Sequence, residues 1–332
     1  MNLLSLNFKL VQLKDMYQDI RNSYSKIKSH IAKTPLVFAP KLSQLINGRV
    51  YLKLENQQKS GSFKLRGVMN KMLSLPPSAF QKKFVAVSTG NHAAAFAYAA
   101  KQFKIDGEIF LPETVTSSKL KALQSYGLPL KLYGSNSLET EIHASAYARE
   151  HDYVLIHPYN DPEIVKGQGT IALELCEQLE DFDTVLVPVG GGGLISGVSA
   201  YLQEAKPEVK VVGCQPLHSP EMYESIKAGK IIEMENQPTL SDATAGGIEP
   251  GAITFDICRQ YVDDFDLLNE ADIRKAILFL LEHHHLLIEG GAALSVATLL
   301  KKPTAFTGKT VIGVLTGKKL SMAKLKEIMA DY

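Results

Sequence analysis

The chain has 332 residues, 45% hydrophobic and 21% charged, with 36 basic against 35 acidic side chains and a net charge of +1. This is the make-up of a globular protein long enough for two domains or one large one. Near-neutrality removes any electrostatic reason to propose nucleic acid or an anionic membrane as a partner.

The opening segment MNLLSLNFKL lacks a basic start and is interrupted by Asn7 and Lys9, which argues against a signal peptide. No run of about 18 apolar residues follows that would span a bilayer. Periodicity predicts helices over 13–31, 64–73, 92–103, 118–126, 138–150, 167–179, 194–203, 270–286 and 321–329. Strands are predicted over 50–54, 84–87, 108–111, 154–156, 184–187, 210–214 and 310–314. Alternation of this kind argues for an α/β protein with a mostly parallel sheet. The units from 75 to 156 form a compact set. They are expected as a small domain, 75–156, placed between the two parts of a larger one, 1–74 and 157–332. Cys176, Cys214 and Cys258 are far apart and form no CxxC pair. They read as buried thiols in a reducing, cytoplasmic compartment.

The first motif in chain order is KSGSFKLRG, residues 59–67. Ser60 and Ser62 are both suited to cap a helix start, and Gly61 permits close backbone approach. Phe63, Leu65, Val68, Met69 and Met72 recur at helical spacing, so the first turn should pack inward. Lys64 is then expected to be partly buried at the positive end of a helix. Both effects disfavour its charged form and lower its pKa, which suits Schiff-base chemistry.

The second motif is VSTGNHAAAFAYAA, residues 87–100, a strand, a polar turn and an alanine-rich helix. Ser88, Thr89, Gly90, Asn91 and His92 present hydroxyls, an amide and backbone donors there, apt for a ligand carboxylate or hydroxyl. The third is VLVPVGGGGLISGVSAYL, in which a strand runs through Gly190, Gly191, Gly192 and Gly193 into a helix beginning near Leu194. Converging amides and a helix N-terminus make an anion site, most often for phosphate. Neither a Walker lysine nor a GxGxxG fingerprint accompanies it, so the phosphate is not that of ATP or NAD. Glu55 and Asp161 read as capping or ion-pairing residues. His283–His285 point about 100° apart on a helix and cannot all bind one ion.

A lysine of lowered pKa, a phosphate cradle and a polar turn are the parts of a pyridoxal phosphate enzyme. The segments ENQQKSGSFKLRG, STGNH, GQGTIALEL, VPVGGGGLISG and LLIEGGAA follow in order. In this order the chain resembles the threonine/serine dehydratase and serine racemase family of fold type II pyridoxal phosphate-dependent enzymes. The resemblance runs from about Lys33 to the C-terminus. It implies a tryptophan synthase β-like fold: two open, twisted, mostly parallel α/β domains with pyridoxal 5'-phosphate in the cleft between them. It further implies that Lys64 carries the cofactor as a Schiff base, beside Phe63, with Asn91 bonded to the ring hydroxyl. Gly190, Gly191, Gly192, Gly193 and Leu194 would hold the phosphate, and Thr316 would face the ring nitrogen. Ser88, Thr89, Gly90 and His92 would lie near the substrate carboxylate, with Thr89 the possible second proton carrier.

Several positions depart from the family. Lys318 and Lys319 stand where small residues and asparagine are usual, Ala243 where glycine is common, and Tyr159 where racemases prefer asparagine. Gln215 occupies the place of a glutamate that ligates a divalent cation. Even with Glu221 nearby, a neutral first ligand weakens that site, so whether a metal binds is left unknown. The implied activity is β-elimination from a β-hydroxy amino acid such as L-threonine or L-serine, giving a 2-oxo acid and ammonia. The alternatives are an amino-acid racemase, and a dehydratase for 3-hydroxyaspartate or an acylated diamino acid. A non-catalytic binding protein is a further alternative, against which the intact Lys64 and glycine cradle count. A homodimer is expected by resemblance. Few residues follow the last motif, which suggests an enzyme without an appended regulatory domain.

Overall fold

The computed structural model describes residues 16–330. The reading of the first ten residues and the start of the helix expected over 13–31 lie outside them. That helix, α1, is described as Met16–Ile27 and buries Met16, Ile20, Ser23 and Ile27.

Two sheets organise the rest. The larger has the order β1 (Leu36–Phe38), β2 (Arg49–Lys53), β10 (Thr310–Val314), β7 (Thr184–Pro188), β8 (Lys210–Pro216) and β9 (Asp264–Leu268). All its pairings are parallel except that of β1 with β2. The smaller has the order β5 (Leu130–Leu132), β4 (Gly107–Leu111), β3 (Phe84–Val87) and β6 (Val154–Ile156), parallel throughout. Every residue of β3, β4, β7 and β10 is buried. Parallel strands covered on both faces read as continuous apolar runs, and this is why they were visible in the sequence.

Side-chain alternation distributes each strand between two cores. Val311 packs with Leu52, Leu186, Ala293 and Val296. Its neighbours Ile312 and Val314 pack on the other face with Ile171, Ile195 and Val198. A third core lies against the smaller sheet. Into it the helix Lys64–Ser74 sends Leu65, Val68, Met69 and Met72, beside Phe84, Phe96 and Ile109. Phe63, the fifth apolar residue at this spacing, precedes the helix and packs partly buried against the second core.

The differences from expectation are local. The helix expected over 167–179 starts earlier, at Pro162, because Asp161 accepts from the backbone N–H groups of Glu163 at 2.8 Å and Ile164 at 3.4 Å. Asp161 also pairs with Lys71 at 2.6 Å. The helix Gly290–Lys301 was not expected, since it opens on two glycines. Tertiary contact explains them: a Cβ on Gly290 would overlap the Leu240 carbonyl. The short strands β1 and β5 carry too few residues for a periodic signal. Cys214 and Cys258 are buried, Cys176 is only half-buried, and all three are free.

Beneath the start of the Lys64 helix lies a fully buried ionic cluster. Arg66 donates to Glu55 at 2.7 and 2.8 Å and to Glu174 at 2.8 and 2.9 Å. Lys53 reaches Glu174 at 2.6 Å, and Thr34 donates to Glu55 at 2.5 Å. Burial works against the charge on Glu55, yet Arg66 holds its carboxyl below the usual range. Removing one partner from such a cluster strands buried charge and costs about 3–5 kcal/mol. Arg66→Met should therefore lower the unfolding free energy by about that amount in a urea titration. A variant as stable as the parent would show the cluster to be dispensable.

Candidate active site

The site forms where strands of both sheets end. β3 leads through Ser88–Gly90 into the helix Asn91–Phe103. β7 leads through the glycines into the helix Gly193–Ala205. β6 leads to Pro158 and Tyr159, and β10 to Thr316. Carboxyl ends of parallel strands are where open α/β sheets bind ligands. Every site residue expected from the sequence, from Phe63 through Thr316, lines one cavity of about 470 Å³.

Lys64 is the first residue of its helix, but no serine caps it. Ser60 turns its hydroxyl to the Ser62 carbonyl, and the Ser62 hydroxyl is buried without a partner. The turn is instead pinned to the end of β10. Ser62 bridges Gly317, the Phe63 N–H donates to the Thr316 carbonyl at 3.1 Å, and the Lys318 N–H donates to the Gly61 carbonyl at 3.2 Å. Lys64 Nζ donates to the Pro158 carbonyl at 2.7 Å and lies 5.3 Å from the centre of the Phe63 ring. Burial pushes its amine down to about 8, against the pull of the Glu141 charge.

At the polar turn, His92 is buried. Burial and then the Lys64 charge press its pKa down to about 3. Its Nε2–H donates to the Ile156 carbonyl at 2.7 Å, and Nδ1 is buried without a partner. The ring is thus neutral and brings no positive charge to the cavity. Asn91 donates from Nδ2 to Glu289 Oε1 at 2.5 Å, which leaves its Oδ1 buried and unpaired. In its ionised form Glu289 accepts only, and its pairing with Nδ2 then makes Oδ1 the free acceptor end of the amide. Glu289 also accepts from the Lys319 N–H at 3.1 Å. Burial pushes its carboxyl up to about 7, against the hydrogen bond from Asn91.

The glycine cradle is closed to side chains. A Cβ on Gly191 would sit 2.5 Å from the Tyr159 ring. Gly192 has φ of +84°, a left-handed conformation that only glycine adopts without cost, and it caps the following helix. The Tyr159 hydroxyl donates to Glu141 Oε2 at 3.1 Å and accepts from the Glu249 N–H at 2.8 Å.

Two cavity carboxylates escaped sequence reasoning. Glu289 stood in LLIEGGAA, where an acid before a glycine pair at a helix start was the available signal. Glu141 lies in LETEIHASAYARE, which reads as an ordinary solvated helix face. Away from the cavity, Gln215 accepts from the Tyr223 N–H at 2.9 Å, and Glu221 accepts from the Ser219 hydroxyl at 2.7 Å. Among the described residues no three His, Cys, Asp or Glu side chains are grouped to hold a metal ion. No helix among them is long and apolar enough to cross a membrane.

Backbone donors at a helix start fit a phosphate, the unpaired Asn91 oxygen fits a ring hydroxyl, and a half-buried amine of lowered pKa fits a carbonyl carbon. The fold and site together define an enzyme class that tethers a phosphorylated aldehyde cofactor to lysine. The chain belongs to the pyridoxal-phosphate dependent enzyme family, whose profile matches residues 27–317, and within it to the fold type II group of threonine/serine dehydratases and serine racemases. It is 39% identical over 312 residues to an L-threonine ammonia-lyase of Thermotoga maritima, covering 94% of this chain and 77% of that one. The processed threonine deaminase isoform 2 of Solanum lycopersicum superposes with a TM-score of 0.87 at 29% identity, covering 96% and 93%. Maize serine racemase superposes with a TM-score of 0.86 at 29% identity, covering 95% and 97%.

Two outcomes follow. Reloading of cofactor-free protein with pyridoxal phosphate should accelerate as pH rises and level off above about 8, because Lys64 is neutral and nucleophilic beyond that point. An ordinary lysine would keep gaining up to roughly 10.4. Gly191→Asp should lose the cofactor, since side chain and negative charge both enter the cradle. Retention of full visible absorbance in that variant would place the phosphate elsewhere.

Proposed function

We propose that this protein is an ammonia-lyase that removes the β-hydroxyl of L-threonine or L-serine and releases a 2-oxo acid and ammonia. The observation that carries the reading is Lys64: a half-buried amine of lowered pKa, facing one cavity with a glycine cradle and a polar helix start. The threonine ammonia-lyase relative over nearly the whole chain supports the substrate class.

Pyridoxal phosphate, when bound, supplies the electron sink that makes the α-proton acidic. Gly190, Gly191, Gly192, Gly193 and Leu194 would hold its phosphate through backbone N–H groups, with Phe63 beside the ring and Thr316 toward its nitrogen. Asn91, turned by Glu289, would offer Oδ1 to the ring hydroxyl. The substrate carboxylate would meet Ser88, Thr89, Gly90 and His92 at the start of their helix, where backbone donors and the dipole favour an anion. His92 contributes there through its backbone, its ring being neutral and turned to Ile156. Lys64 takes the α-proton. A pKa near 8 leaves a usable fraction neutral at neutral pH, as a general base requires. Water leaves from the β-carbon and water returns to release ammonia, so the net change is deamination.

A racemase needs a proton carrier on the second face. Thr89 lines the cavity, but neither His92 nitrogen takes up its hydroxyl: Nε2 is bonded to the Ile156 carbonyl and Nδ1 has no hydrogen-bond partner. Residues 75–156 are assigned to the small domain and 1–74 with 157–332 to the large one. The support is that all strands of the smaller sheet lie between 84 and 156. A cytoplasmic homodimer completes the proposal.

Borohydride reduction followed by peptide mass spectrometry should find the pyridoxyl group on Lys64, and Lys64→Ala should lose about 10³-fold or more in elimination rate. L-Threonine in heavy water should give 2-oxo acid much faster than D-amino acid by chiral chromatography. Faster accumulation of the D-isomer, abolished selectively by Thr89→Ala, would make the protein a racemase.

A further inference from the structure

Glu141 is a cavity carboxylate to which the reaction above gives no task. It projects from the helix Ser137–Glu150, and among the described residues it forms no ion pair. The Tyr159 hydroxyl holds its Oε2 at 3.1 Å and is itself fixed by the Glu249 N–H at 2.8 Å. The Tyr159 ring backs Gly191, so this carboxylate is anchored beside the cradle and on the Lys64 side of the cavity. The Glu249 carboxylate is taken up by His157 at 3.1 Å and Asn160 at 2.7 Å.

The cavity has little positive charge to spare. Among the described residues no arginine lines it. Lys64 is the cofactor lysine in the proposed reaction, and Lys119 is paired with Asp242 at 2.7 Å. Lys319 sits exposed at the mouth and donates to the Tyr126 hydroxyl at 3.0 Å. A substrate anchored by its α-carboxylate at the Asn91 helix start would present its side chain toward an anchored carboxylate and no free buried cation. A hydroxyl can donate to Glu141. A second carboxylate would face like charge in a half-buried site, which is how specificity is built against a competitor.

We propose that Glu141 is a specificity-determining residue that admits amino acids with a neutral, hydrogen-bonding β-substituent and excludes those with a side-chain carboxylate, such as 3-hydroxyaspartate. This rests on the ammonia-lyase reading and narrows its substrate class. The groups facing Glu141 are Tyr159, His157, Lys64 and Glu249. Burial pushes its carboxyl up to about 7, so its repulsion of a second carboxylate is present above that pH and fades below it.

The test uses holoenzyme and two ligands that lack a leaving group, L-alanine and L-aspartate, with binding measured by isothermal titration calorimetry. The parent protein should bind L-aspartate at least about 10-fold more weakly than L-alanine at pH 8, a gap of about 1.4 kcal/mol. The gap should narrow at pH 6. Glu141→Gln keeps the Tyr159 hydrogen bond and should abolish both the gap and its pH dependence, while Glu141→Arg should invert the preference. Equal binding of the two ligands by the parent, or an unchanged gap in a folded Glu141→Gln protein, overturns the assignment. L-Threonine turnover separates the two readings: turnover without ligand discrimination sinks the role of Glu141 alone, whereas failure to turn over β-hydroxy amino acids sinks the ammonia-lyase reading.

Discussion

The structure depends on a buried arginine two residues beyond the lysine that faces the cavity. Arg66 is fully enclosed, and its guanidinium is shared between Glu55, just after strand β2, and Glu174, on the helix Pro162–Gln178. With Lys53 the cluster holds two positive and two negative groups, so charge balances without water. Charges so deeply desolvated persist only when every partner is in place. The cluster, with the contacts of Ser62 and Phe63 to the end of β10, fixes the start of the Lys64 helix, where the Lys64 amine meets the Pro158 carbonyl in the cavity.

Burial also sets the electrostatics of the cavity. It lowers Lys64 to about 8, raises Glu141 and Glu289 to about 7, and keeps His92 neutral. Several titratable groups are brought toward neutral pH by one cause, loss of solvent, rather than by separate devices. Groups shifted in this way within a cleft are the usual mark of a working site. The two carboxylates differ in their partners. Glu289 orients an amide, whereas Glu141 is held by a phenol and keeps capacity for something else.

The mouth of the cavity is bounded by contacts between distant parts of the chain. The helix Ser117–Gln124 places Lys119 against Asp242, and just beyond its end Tyr126 meets Lys319. Lys319, a departure from the family pattern, thus meets a tyrosine across the opening. Its backbone N–H meanwhile supports Glu289 inside.

Much of this was readable in the linear chain. Lys64, the Ser88–His92 turn and the glycine cradle each lie within a strand–turn–helix unit. Their chemistry depends on residues a few positions apart, and buried parallel strands advertise themselves as apolar runs. Residues outside such local units were not readable. Asn91 meets Glu289 across 198 positions, Arg66 meets Glu174 across 108, and Tyr159 meets Glu141 from another element. Glu141 looks like a solvated helix residue until its helix is docked. The helix beginning at Gly290 looks like a loop until Leu240 occupies the space a side chain would need. Sequence alone determined the class of chemistry, because that chemistry is built from local backbone geometry and one lysine. Only the tertiary structure decided which buried charges face each other, because desolvation and pairing arise when distant segments close on the same space.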